Sequence, residues 1–131
     1  MATLTNLNGV EITFNPSAVV AISDHDDTTG DAHTWVFGIS GGRTLIAESV
    51  DAFMQRLKIA NDFAKLTRPD GWPVWIRGSA VSTVLAAEPS DAGLPTVKPI
   101  KSIVKVGSLR QAVAEIPADA IAALNAHGAN L

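Results

Sequence analysis

Three groups of residues in this chain have types and spacings that suggest chemistry. The string Gly38-Ile39-Ser40-Gly41-Gly42 matches the G-x-S-x-G of a hydrolase nucleophile elbow, where a strained turn between a strand and a helix exposes the serine. Here the string is followed by Arg43-Thr44-Leu45-Ile46-Ala47, a strand pattern, so it reads as a glycine-rich hairpin turn. The run from Asp24 through His25, Asp26, Asp27 and Asp31 to His33 is the richest in metal-ligating side chains. Its spacing matches no metal motif, because the glycine and terminal glutamate of a calcium loop are missing, and it reads as a solvated acidic loop. His25, His33 and His127 stand in no triad-like order with serine and carboxylate, and no phosphate-binding glycine loop opens a helix. These readings give no catalytic residues, no metal site and no cofactor.

The third group concerns binding. Trp75 takes the outward phase if Val74 and Ile76 face a core, and an outward tryptophan on a strand marks an interface or is covered by the rest of the chain. Trp72 follows the inward phase and is expected in the core. Residues 1–64 carry 3 basic and 8 acidic side chains, net −5, and residues 65–131 carry 7 and 5, net +2. Lys98, Lys101 and Lys105 could therefore face Asp24, Asp26, Asp27 and Asp31 of a second copy, head to tail. The same charges could instead complement one another within one chain or remain solvated.

The elements that must position these groups come from an internal repeat. Shifted by 62 positions, Leu4 to Ile22 falls on Leu66 to Val84, with identities at Leu4/Leu66, Thr5/Thr67, Gly9/Gly71, Ser17/Ser79, Ala18/Ala80 and Val19/Val81. Shifted by 67, Val36 to Leu57 falls on Ile103 to Leu124, keeping Arg43/Arg110, Ala47/Ala114, Glu48/Glu115 and Leu57/Leu124. The second unit then has five more residues in its middle loop.

Each unit should open with a hairpin about Asn8-Gly9 or Asp70-Gly71, in a two-residue turn of type I′. Val10, Ile12 and Phe14 alternate with polar residues as a half-buried strand. Val19 to Ser23 and Val81 to Leu85 read as third strands, and a second hairpin follows in each unit. Ser49 caps a helix whose stripe runs through Val50, Phe53, Met54, Leu57, Ala60 and Ala64, and Pro117 opens the second helix. The expected fold is α+β, mainly β. It consists of two tandem modules, 1–64 and 65–131, each of about five short antiparallel strands and a terminal helix, packed as one body.

The segments Leu4-Thr5-Asn6-Leu7-Asn8-Gly9, Asn15-Pro16, Gly42-Arg43-Thr44-Leu45 and Glu48-Ser49-Val50 resemble the bacterial flagellar and swarming motility protein family, whose members are single modules of this size. The second unit, with Leu66-Thr67-Arg68-Pro69-Asp70-Gly71, Val74-Trp75-Ile76 and Gly107-Ser108-Leu109-Arg110, is similar to small prophage-encoded proteins. The chain departs from the motility pattern in its duplication, its acidic loop and its Arg77-Gly78 in place of Asn-Pro. The resemblance implies a non-enzymatic accessory of a larger assembly.

Composition narrows the classes further. The chain has 131 residues, 47% hydrophobic and 18% charged, with net charge −3 and no cysteine, and its mean hydropathy is +0.21. Disulfides, thiolate metal sites and a strongly basic nucleic-acid surface are excluded. No apolar run is long enough for a membrane helix and no secretory signal opens the chain, so the expected location is cytoplasmic or virion. The function expected is a structural or interaction protein, not an enzyme. It would dock in many copies on a bacterial or phage assembly, as a virion decoration or tail accessory protein. A motility accessory factor, or a small metal- or ligand-binding protein using the 24–33 loop, is the alternative. Protein partners or self-association are expected, and neither nucleic acid nor membrane.

Overall fold

The computed structural model describes residues 1–24, 34–39, 42–92 and 96–131. Asp26, Asp27 and Asp31, the rest of the acidic loop and Ser40 lie outside the described residues. Among the described residues the protein is mainly β, with ten strands in antiparallel ladders. It divides into two compact units, Met1–Asn61 and Asp62–Leu131. A boundary after Ala64 would cut a strand that belongs wholly to the second unit.

In the first unit, β1 (Ala2–Thr5) pairs with β2 (Glu11–Phe14), placing Leu4 opposite Ile12. A 3-10 turn, Pro16–Ala18, leads to β3 (Ala21–Asp24), which pairs with β4 (Thr34–Phe37), itself paired with β5 (Arg43–Ile46). Helix α1 (Val50–Leu57) packs on β3. Its apolar face buries Val50, Phe53 and Met54, and the Phe53 ring stacks on Phe14 with centroids 6.2 Å apart. The Ser49 hydroxyl accepts a hydrogen bond from the Ala52 N–H, satisfying one of the helix's open donors.

In the second unit, β6 (Phe63–Thr67) pairs with β7 (Pro73–Arg77), with Leu66 opposite Val74. This register equals that of β1 and β2 displaced by 62 residues. The 3-10 turn Gly78–Ala80 keeps the same displacement from Pro16–Ala18. Then β8 (Val81–Ala86) pairs with β9 (Ser102–Val106), and β9 with β10 (Leu109–Val113). A single turn of helix, α2 (Pro89–Ala92), lies between β8 and β9, and α3 (Pro117–Asn125) packs on β6 and β8.

The strand pairs refine the repeat. Asp24 pairs with Thr34 as Ala86 pairs with Ser102, so β4 falls on β9 at a displacement of 68 rather than 67. The second unit's middle loop, 87–101 against 25–33, is thus six residues longer, and between the matched partners of its second hairpin, Lys105 and Arg110, it has one residue fewer than between Phe37 and Arg43. Sequence similarity alone placed both changes in one five-residue insertion, because short apolar strands align nearly as well one residue out of step.

Other expectations are corrected. The first hairpins are not two-residue type I′ turns. Asn6 donates its N–H to the Val10 carbonyl and Gly9 donates to Asn6, and Arg68, Trp72 and Gly71 repeat this pattern. Gly9 and Gly71 take φ of +79° and +91°, whereas Asn8 and Asp70 keep ordinary negative φ. This is a three-residue loop closed by a glycine, since a type I′ turn needs positive φ at both central residues.

The helix expected to reach Ala64 stops at Leu57, where Lys58 turns left-handed at φ +58°. Of the stripe's last residues Ala60 is exposed in a 3-10 turn and Ala64 is buried from β6, while Ile59 and Phe63, outside the stripe, are buried as well. Trp72 is 42% exposed and not in the core, and its counterpart Val10 is 55% exposed. Both precede the first residue of their strand, so the inward-outward alternation does not yet govern them.

Candidate functional site

The hairpin of β4 and β5 has two different faces. Thr34, Val36, Thr44 and Ile46 point inward and are buried. Trp35, Phe37 and Leu45 are half-buried on the other face, with Arg43 exposed beside them. The Arg43 guanidinium carbon lies 3.8 Å from the centroid of the Trp35 ring, a stacked cation–π pair. Across the ladder Trp35 stands opposite Leu45, giving the pair an aliphatic floor.

The first hairpin supplies the other wall. An antiparallel bridge from Asn6 to Ile46 draws the β1–β2 loop against β5. That loop is rigid for its length, since the Asn6 Oδ1 accepts hydrogen bonds from the N–H groups of Asn8 and Val10. Between loop and sheet lies an open groove of about 550 Å³, lined by Asn6, Leu7, Ile12, Trp35, Arg43 and Leu45 among others. Leu7 is 43% exposed at its rim. Among the described residues, no carboxylate forms an ion pair with Arg43. The groove thus joins a fixed cation, an aromatic plate and aliphatic walls, which suits recognition of a side chain or short segment better than bond-making.

A second charged group lies nearby in the first unit. Arg56 donates two hydrogen bonds to the Glu48 carboxylate, at 3.0 and 2.7 Å, and one to the Thr3 carbonyl at 2.9 Å. The hydrogen bond to Glu48 holds the guanidinium above its ordinary range, against partial desolvation. Its ends are committed to tying α1 to β1.

The residues singled out from sequence are placed as follows. Trp75 is half-buried on β7, opposite Lys65, whose ammonium lies 5.6 Å from the ring centroid. Lys98, Lys101 and Lys105 are all exposed in the second unit. Lys105 stands directly opposite Arg110 across β9 and β10, whereas the backbone N–H groups of Lys98 and Lys101 are used to hold loops, donating to Pro69 and Val113. Asp24 ends β3 in the first unit and is half-buried. Among the described residues, no three His, Asp or Glu side chains gather as a metal-holding group. Gly38 donates its N–H to the Gly42 carbonyl and β5 begins at Arg43, so the glycine-rich string joins two strands and not a strand to a helix.

Trp35 and Arg43 were not singled out by sequence reasoning. Their signal is present as an outward phase, since Val36 and Thr44 take the inward one, but their meeting depends on the β4–β5 register. Comparison with known proteins adds no relative: no family model, no curated protein and no solved structure matches this chain.

Proposed function

We propose that this protein works by docking and not by catalysis, as a structural or interaction component of a larger bacterial or phage assembly. A virion decoration or tail accessory role is the first form of this reading, and a motility accessory role the second. The observation that carries it is the Arg43 guanidinium stacked on Trp35 in an open groove. Tryptophan and arginine dominate binding hot spots, because each contributes large contact area together with directional polar groups. The expected multi-copy contact of Lys98, Lys101 and Lys105 with Asp24, Asp26, Asp27 and Asp31 of a neighbour belongs to the same reading, and salt would weaken it.

The test is co-sedimentation of the purified chain with purified phage particles from the same source, and with isolated flagellar basal bodies. Saturable binding to one particle supports docking and tells the two forms apart. Binding to neither, with a swimming and virion yield unchanged on deletion, would reject it.

A further inference from the structure

Asn8 and Asp70 hold the same position in the two first hairpins, and each is followed by a glycine of positive φ. Their side chains are in different situations. The Asp70 carboxylate pairs with the Arg68 guanidinium and accepts a 3.0 Å hydrogen bond from the Trp72 N–H. In the first unit Asn6 stands where Arg68 stands in the second, and its Oδ1 accepts from the N–H groups of Asn8 and Val10 at 2.9 and 3.0 Å. Asn6 thus fastens its turn as Asp70 fastens the other. Among the described residues the exposed Asn8 carboxamide is left without a hydrogen bond.

An asparagine followed by glycine sets an electrophile, the side-chain Cγ, beside a nucleophile, the next backbone nitrogen. Glycine favours their meeting because no side chain shields that nitrogen and its backbone turns freely. Asn8 is the one asparagine of six that precedes glycine, and Asn15 precedes Pro16, whose nitrogen has no proton to lose. A Cβ built on Gly9 would meet no heavy atom of the described residues within 4 Å, so there is room on that side for a ring to close. The restraint is the Gly9 N–H, which donates a 3.0 Å hydrogen bond to the Asn6 carbonyl. Attack needs that nitrogen deprotonated and turned toward Cγ, so it starts from a turn in which this bond has opened.

We propose that Asn8 is a site of spontaneous deamidation, gated by the hydrogen bond from Gly9 to Asn6. Hydroxide takes the Gly9 amide proton, the nitrogen bonds to Asn8 Cγ, and the Cγ–Nδ2 bond breaks to release ammonia. Water then opens the five-membered imide at either carbonyl. Opening at Cγ–N gives aspartate, and opening at the backbone carbonyl gives isoaspartate, with the chain rerouted through Cγ. Nothing is oxidised or reduced. Either product adds one negative charge to the groove that Asn8 and Arg43 both line.

The test is peptide mapping by mass spectrometry of the full chain aged at neutral and at mildly alkaline pH. The mass gain of an amide-to-acid exchange should appear at Asn8 ahead of the other asparagines, faster at the higher pH, as two separable products with isoaspartate among them. In urea, where the turn is lost, the same residue should react at least about tenfold faster. Asn6→Ala removes the side-chain fastening and should speed the folded chain, with faster amide exchange at Gly9 as the matching readout. Folding of that variant is checked by its spectrum elsewhere. Asp70, whose carboxylate is held, should isomerise more slowly than Asn8 reacts. A first mass gain at another asparagine, or none at Asn8, overturns the site. Equal rates in the folded chain and in urea overturn the gate, as does Asp70 isomerising as fast as Asn8 reacts overturn the contrast between the turns.

Discussion

The Thr34 hydroxyl donates a 2.6 Å hydrogen bond to the backbone carbonyl of Glu48, from a side chain with no exposed surface. Ser102 makes the same bond to Glu115 at 2.7 Å, equally buried. In each unit this bond ties the strand after the middle loop to the residue that leads into the helix, so a hydroxyl is kept where the core would otherwise take valine.

Replacing that hydroxyl should separate chemistry from shape. Thr34→Val keeps the volume but strands a carbonyl, and is expected to cost about 1–3 kcal/mol, whereas Thr34→Ser keeps the donor and should cost less. Ser102→Ala should fall in the same range. Urea midpoints at constant slope measure all three. Equal losses for Thr34→Val and Thr34→Ser would show that packing, not the hydrogen bond, matters there.

Gly78 and Gly9 should respond differently to alanine. At Gly78 a Cβ would stand 2.4 Å from the His127 carbonyl oxygen and 2.7 Å from that of Leu124, both backbone atoms at the end of α3. Gly78→Ala must push α3 away and is expected to cost about 3 kcal/mol or more. Gly9→Ala meets open space among the described residues and pays only for its positive φ, about 1 kcal/mol. Thermal melts of the two variants test the order.

Trp72→Ala should cost under about 1 kcal/mol, as a surface change, despite the size of the side chain lost. Phe14→Ala, at 4% exposure and stacked on Phe53, should cost about 3–5 kcal/mol. A reversed ranking by denaturant titration would place Trp72 in a core that the structure does not give it.

The Arg56 and Glu48 side chains are 40% and 35% exposed, so Arg56→Ala should cost no more than about 1 kcal/mol, and less at high salt. Because the guanidinium is raised above its ordinary range, chiefly by the hydrogen bond to Glu48, its share of that stability is complete at neutral pH. It is lost only as pH rises through the raised value, far into the alkaline range. A stability curve between pH 6 and about 9 should therefore be the same shape in Arg56→Ala as in the natural chain.

Much of the local structure was legible in the sequence because its rules are local. Asn8-Gly9 and Asp70-Gly71 marked the hairpins, Ser49 and Pro117 the helix starts, and the displacement of 62 the matching registers of β1–β2 and β6–β7. The helix end at Lys58 was not legible, since Ala60 and Ala64 continue the helical stripe in sequence, and only the fold shows Ala60 exposed in a turn and Ala64 in β6.

The groove lay further out of reach. Asn6, Trp35 and Arg43 are ordinary residues in sequence, and no motif joins them. The β4–β5 register sets Arg43 over Trp35, and the bridge from Asn6 to Ile46 brings the turn against them. Pattern along the chain fixes which way a side chain points. Which side chains it then meets is decided by pairing between residues far apart in sequence, and that is settled only when the strands close on one another.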